Sequence, residues 1–113
     1  MLQLCHPSAK VRIGFYNVHL VPDFGGRAAS VTAVLEAGPD VFNHNLETVR
    51  RLQASVRPQA GYDRSLGVLR AAAAHRPAVR VKSGLMLGMG ETDAELDGAL
   101  ADLRAAGCGF LTL

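Results

Sequence analysis

Asn43, Asn45 and Glu47 stand at alternate positions directly after one short apolar run, and Gly84, Gly88 and Gly90 are set around the end of another. Alternate residues of an extended chain project to one side, so Asn43 and Asn45 share a pleat face, His44 lies opposite, and Glu47 follows in the turn. An amide offers donors and acceptors together, and a carboxylate accepts from hydroxyls. Such a set suits the vicinal hydroxyls of a ribose. The same groups can instead cap a following helix and satisfy loop backbone, and spacing alone favours that plainer role.

In the second segment, glycine removes side chains where a flat ligand can lie against backbone, and Leu85 and Leu87 are expected to pack in the sheet. The N–H and C=O groups around Met86 are then placed to read an adenine edge. A dinucleotide fingerprint fails in detail, because Gly88-Met89-Gly90 requires a third glycine where Asp93 stands. No Gly-Lys-Ser/Thr phosphate loop occurs. Taken alone, a glycine set of this kind more often marks a strand-to-helix turn.

Both segments need elements to position them, and the pattern from Val18 onward supplies these. Short apolar runs alternate with amphipathic helical patterns, the mark of βα units and a parallel sheet. The expected first strand is 18–21, ending in the turn cluster Pro22-Asp23-Phe24-Gly25-Gly26. A helix over about 27–37 follows, with Val31, Val34 and Leu35 on one face, stopped by Gly38-Pro39. The second strand, 41 to about 43, runs into the first polar segment, then into a short helical stretch near 49–53. Arg57-Pro58 breaks that pattern. A helix over about 63–75 presents Leu66, Leu69 and Ala73 to the sheet, and Arg76-Pro77 ends it. The third strand, 79 to about 87, delivers the glycine segment. Thr92 and Glu95 have the spacing of a capping box and begin a helix with Leu96, Leu100 and Leu103 as its buried stripe, closed by Gly107. Residues 110–113 read as a fourth strand. The first seventeen residues fit this rhythm poorly, although Val11, Ile13 and Phe15 alternate as in a strand.

With 113 residues, 49% of them hydrophobic, the chain can bury one small core and is too short for a complete barrel of typical size. Its formal charge is +2, from 12 basic and 10 acidic residues, with the basic ones spread out apart from Arg50, Arg51 and Arg57. That argues against nucleic acid as a partner. No window reaches the length of a membrane span and the first residues lack the apolar core of a signal peptide, so a cytoplasmic location is expected. Cys5 and Cys108 are expected to be free thiols. Cys5 beside His6 lacks further ligands, and His19, His44 and His75 fall on separate elements, so no metal ligand is assigned.

The order and spacing of the two segments carry a family likeness. Pro39-Asp40-Val41-Phe42-Asn43-His44-Asn45-Leu46-Glu47-Thr48 resembles a strand and loop of lipoyl synthase, a radical S-adenosylmethionine enzyme. Lys82-Ser83-Gly84-Leu85-Met86-Leu87-Gly88-Met89-Gly90-Glu91-Thr92 resembles a later strand, the GxIxGxxE motif with Met86 in the Ile place. Val21-Pro22-Asp23-Phe24 and Gly107-Cys108-Gly109-Phe110-Leu111-Thr112-Leu113 flank them at the expected distances. The resemblance covers about residues 18–113. Biotin synthase shares a similar Asn-His-Asn-Leu phrase but usually follows it with Asp, and Glu47 favours lipoyl synthase.

This resemblance implies a partial TIM-type (βα) barrel of about four units, with 1–17 as an unplaced N-terminal segment. It implies that Asn45 and Glu47 contact the ribose of S-adenosylmethionine, that Asn43 faces the reacting centre, and that the Met86 backbone contacts adenine. Gly84, Gly88 and Glu91 belong to the same motif. Arg57 is a further candidate, for the methionine carboxylate, unless it is an ordinary solvated loop arginine. The implied reaction inserts two sulfurs into an octanoyl chain on a lipoyl-carrier protein, after a reduced 4Fe-4S cluster splits S-adenosylmethionine into a hydrogen-abstracting radical.

Departures from the family pattern qualify that expectation. The CxxxCxxC loop for the catalytic cluster, the cysteine set for the auxiliary cluster and the terminal serine ligand are all absent from these residues. Two cysteines cannot supply the four thiolates a cluster normally takes. Arg50 and Gln53 replace a common Pro and a common aromatic, so the loop after the first motif is expected to be shaped differently. The expected protein is a truncated lipoyl synthase, inactive alone, with no assigned catalytic residue. A cluster-free adenosyl-ligand binding module or an interaction fragment is the alternative. Four or five parallel strands leave open edges, which favours self-association.

Overall fold

The computed structural model describes residues 16–113. The possible strand at 11–15 and Cys5 lie outside the described residues. The apolar runs become four strands, β1 (Val18–Leu20), β2 (Val41–Asn43), β3 (Arg80–Gly84) and β4 (Phe110–Thr112). They form one sheet in the order β1-β2-β3-β4, and every neighbouring pair is parallel. Sequential parallel neighbours require a crossover between each pair. These are provided by α1 (Ala28–Glu36), by a short 3-10 turn (Arg50–Leu52) running into α2 (Gln53–Val56) and then α3 (Tyr62–Ala74), and by α4 (Asp93–Ala105).

The core lies between the sheet and the helices. Phe42, Leu46, Val81 and Leu85 from the strands and strand ends meet Val31 and Leu35 of α1, Leu66, Val68, Leu69 and Ala72 of α3, and Ala99 and Leu103 of α4. Val34, Ala73, Leu96 and Leu100 are only partly buried and pack at its margin. The expected stripe of α4 is therefore shifted, with Ala99 rather than Leu96 or Leu100 fully inside.

The opposite sheet face is open among the described residues. Register places Val18, Val41 and Arg80 in one row and Leu20, Asn43, Lys82 and Phe110 in the next. Val18, Leu20 and Phe110 are exposed there.

The capping box forms as expected, with Thr92 Oγ1 accepting from the Glu95 N–H and the Glu95 carboxylate accepting from the Thr92 N–H. One boundary differs. The third strand stops at Gly84 rather than near Leu87, followed only by an isolated parallel bridge between Glu47 and Leu85. Beyond it, the Gly88 and Met89 N–H groups turn to the Glu91 carboxylate instead of a neighbouring strand. Leu85 is buried as expected, whereas Leu87 is exposed. The Leu87 side chain thus belongs to the turn, not the sheet.

Candidate functional site

Alternation at the end of β2 continues past the strand. Phe42, His44, Leu46 and Thr48 are buried toward the helices, while Val41, Asn43, Asn45 and Glu47 are half-buried on the other face. Three polar side chains of the first motif therefore share the open face at the C-terminal end of the sheet, the end at which parallel α/β folds gather ligands.

Backbone bonds join this segment to the second. His44 N–H donates to the Lys82 carbonyl at 3.0 Å, and Glu47 N–H to the Gly84 carbonyl at 2.9 Å. Met86 N–H donates to the Glu47 carbonyl at 2.7 Å. The Met86 N–H is consequently committed within the protein, and its carbonyl is the group left to meet a ligand. Glu47 reaches this geometry with φ of +71°, a conformation uncommon for a residue with a side chain.

Gly84 lies directly against the first motif. A Cβ built there lies 2.9 Å from Asn45 Oδ1 and 3.2 Å from its Cγ. The space is filled by the Asn45 amide, so the glycine clears room for a neighbouring side chain.

Glu91 also acts inside the turn. Its carboxylate accepts from Gly88 N–H at 2.6 Å and Met89 N–H at 2.8 Å. Its own backbone N–H and then those of Gly88 and Met89 hold its carboxyl below the usual range. Arg57 is half-buried, and its Nη1 donates to the Asn45 carbonyl at 3.0 Å and the Leu46 carbonyl at 3.3 Å. It braces the first motif from beneath, which neither a freely solvated arginine nor a dedicated carboxylate ligand alone would do.

Support from below comes from His44 and Gln53 together with Ser65 and Ser83, to which sequence reasoning gave no role. Ser83 Oγ accepts the Leu46 N–H at 3.0 Å. Buried Gln53 donates to the Leu46 carbonyl at 2.7 Å and the Thr48 carbonyl at 3.2 Å. His44 Nδ1 lies 2.9 Å from the Val21 carbonyl, and Nε2 lies 2.9 Å from Ser65 Oγ. A carbonyl only accepts, so Nδ1 carries the proton and Nε2 of the neutral ring accepts from the serine. Desolvation, ahead of the Arg57 charge, lowers the His44 pKa and keeps the ring neutral. The visible hint was serine and glutamine at positions whose period otherwise demanded apolar residues.

The departures at 50 and 53 shape the loop in a definite way. Arg50 makes a two-pronged pair with Asp63 at 2.7 and 2.9 Å and stacks 4.3 Å over the Tyr62 ring. Arg51 makes its own pair with Glu95 at 2.6 and 3.1 Å. With the Thr92 N–H, this lowers the Glu95 carboxyl to about 2.

Among the described residues no cluster of three or more His, Cys, Asp or Glu side chains is placed to hold a metal ion. Cys108 is a half-buried free thiol whose Sγ donates to the Phe110 carbonyl at 3.0 Å, and burial pushes its pKa up. It packs against the margin of the core. No described helix is long and apolar enough to cross a membrane.

Fold and site together define a parallel βα-unit protein with a polar site at its C-terminal strand ends. No protein-family model matches the chain. Its sequence is similar to lipoyl synthase of Symbiobacterium thermophilum, 54% identical over 93 residues, covering 82% of this chain and 29% of that protein. The lipoyl synthase of Acidithiobacillus ferrooxidans is 55% identical over 95 residues, covering 83% and 30% respectively. That of Citrifermentans bemidjiense is 49% identical over 107 residues, covering 95% and 34%. The last alignment leaves out so few residues that it extends into the segment before Val18. At these identities the chain is homologous to the lipoyl synthases, and it spans about a third of the length of the curated relatives it matches.

Proposed function

We propose that these residues form one wall of the S-adenosylmethionine cradle of a lipoyl synthase, a radical enzyme that inserts sulfur into octanoyl groups on a lipoyl-carrier protein in the cytoplasm. The observation that carries the reading is the shared open face of Asn43, Asn45 and Glu47, locked beside Met86 by the Glu47–Met86 backbone bond. The four sequential parallel units are then one arc of a (βα) barrel, and the open face is part of its interior.

The side chains suit the cofactor. Asn43 Oδ1 is buried without a hydrogen-bond partner among the described residues, an acceptor that a ligand hydroxyl or amino group can satisfy. Asn45 and Glu47 would hold the ribose hydroxyls, Asn43 would offer its free acceptor beside them, and the Met86 carbonyl would accept from the adenine amino group. Arg57 offers its remaining N–H groups to the methionine carboxylate. Gly84, Gly88 and Glu91 contribute by shaping backbone. When bound, S-adenosylmethionine supplies the adenosyl group whose reactivity activates an inert carbon chain, and the protein's part is to orient it and exclude water.

The same residues do not fit a 4Fe-4S cluster, since two cysteines are fewer than the four thiolates such a cluster normally takes. The cluster ligands must come from outside these residues, and the chain by itself is inactive. Anaerobic reconstitution followed by iron and sulfide analysis tests this, and a stable stoichiometric cluster on the chain would overturn it. Titration calorimetry with S-adenosylmethionine tests the cradle. We expect binding by the chain and its loss in Asn45→Ala and Glu47→Ala. No heat from the unsubstituted chain would sink the cradle reading.

A further inference from the structure

Met86 anchors the start of the glycine-rich segment to Glu47, but the turn beyond it needs a separate hold. Among the described residues, the only hydrogen bonds from the first motif's side to residues 87–95 are those of Arg51. Arg51 Nη2 donates to the Gly90 carbonyl at 2.9 Å, and Nε and Nη2 grip the Glu95 carboxylate at 2.6 and 3.1 Å. Glu95 in turn holds the Thr92 N–H at 2.8 Å, so one guanidinium fastens both sides of the turn that Glu91 shapes from within. A planar fork with fixed donors does this, and an ammonium cannot reproduce it.

We infer that Arg51 is a positioning residue that holds the 86–92 turn in register with the 43–48 segment. The consequence for an adenosyl ligand rests on the cradle proposed above. The register itself does not. Arg50 provides an internal control, because its side chain is about as exposed (58% against 56%) and makes a two-pronged pair, to the more exposed Asp63 on α3, without touching the turn. Exposed pairs of this kind add little to global stability, so neither substitution should unfold the chain.

The test combines amide hydrogen exchange with calorimetry on the full chain carrying Arg51→Ala, Arg51→Lys or Arg50→Ala. Arg51→Ala should speed exchange across residues 88–92 several-fold while leaving the melting temperature close to that of the unsubstituted chain. It should also weaken S-adenosylmethionine binding by about tenfold or more, as misplaced contacts commonly do. Arg51→Lys should recover part of both effects, and Arg50→Ala should show neither. Exchange in Arg51→Ala indistinguishable from that in Arg50→Ala would overturn the inference. Loosening of the turn in a chain that takes up no S-adenosylmethionine would support the positioning role while removing the cradle.

Discussion

At the scale of single residues, His44 shows how a motif position acquires a structural task. Its ring joins the β1 exit, through the Val21 carbonyl, to α3, through Ser65, while the flanking asparagines face the other way. Burial lowers its pKa from the ordinary 6.5, so the unfolded chain binds a proton at a higher pH than the folded one. Stability contributed by the neutral ring is therefore fully present above about pH 6.5 and is lost as pH falls toward the lower folded value. Thermal unfolding at a series of pH values should show a melting temperature falling below that point, with a flatter profile in His44→Gln. An identical slope in that variant would assign the pH dependence elsewhere. The alternation of Asn43 and Asn45 was legible because extended geometry fixes it. Partners such as Ser65 and Ser83 were not, because nothing local records a contact across 21 or 37 positions.

Elements of this chain are set largely by local chemistry. The Thr92–Glu95 box satisfies two free N–H groups at the start of α4, and Thr92→Ala should lower the unfolding free energy by about 1 kcal/mol in chemical denaturation. Gly107, after the same helix, adopts φ of +89°, and a Cβ there would lie 2.5 Å from the Ala73 Cβ of α3. Gly107→Ala thus meets both backbone strain and a clash between helices. It should cost more than Thr92→Ala in the same measurement, and an equal or smaller loss would show that α3 and α4 adjust freely. Caps and stops such as Gly38-Pro39 could be read directly from sequence. The end of β3 could not, because Leu85-Met86-Leu87 continues the apolar run while the Gly88 and Met89 N–H groups just beyond it turn to the Glu91 carboxylate.

For the whole molecule, the decisive property is asymmetry between the two sheet faces. Helices cover one. The other exposes Val18, Leu20 and Phe110, and among the described residues β1 and β4 each pair on one side only. Exposed parallel edges beside apolar side chains favour pairing with another chain. The isolated chain should therefore associate reversibly into dimers or larger species in light scattering, and Leu20→Lys should shift it toward monomer. A monodisperse monomer across concentration would refute this. In a longer lipoyl synthase chain, the same edges would be met by further strands of the proposed barrel.

Sequence by itself determined the order of strands and helices, the capping box and the alternation that puts Asn43 and Asn45 on one face, because each follows from bonding between near neighbours. The likeness to lipoyl synthases was legible too, since long motifs keep their order and spacing. Only the tertiary structure decided that Gly84 makes room for Asn45, that the Met86 N–H is already spent on Glu47, and that Arg51 ties the second segment to the first. Those facts depend on how strands register and how helices pack over them, and no short stretch of chain encodes a distance to a residue it meets only after folding.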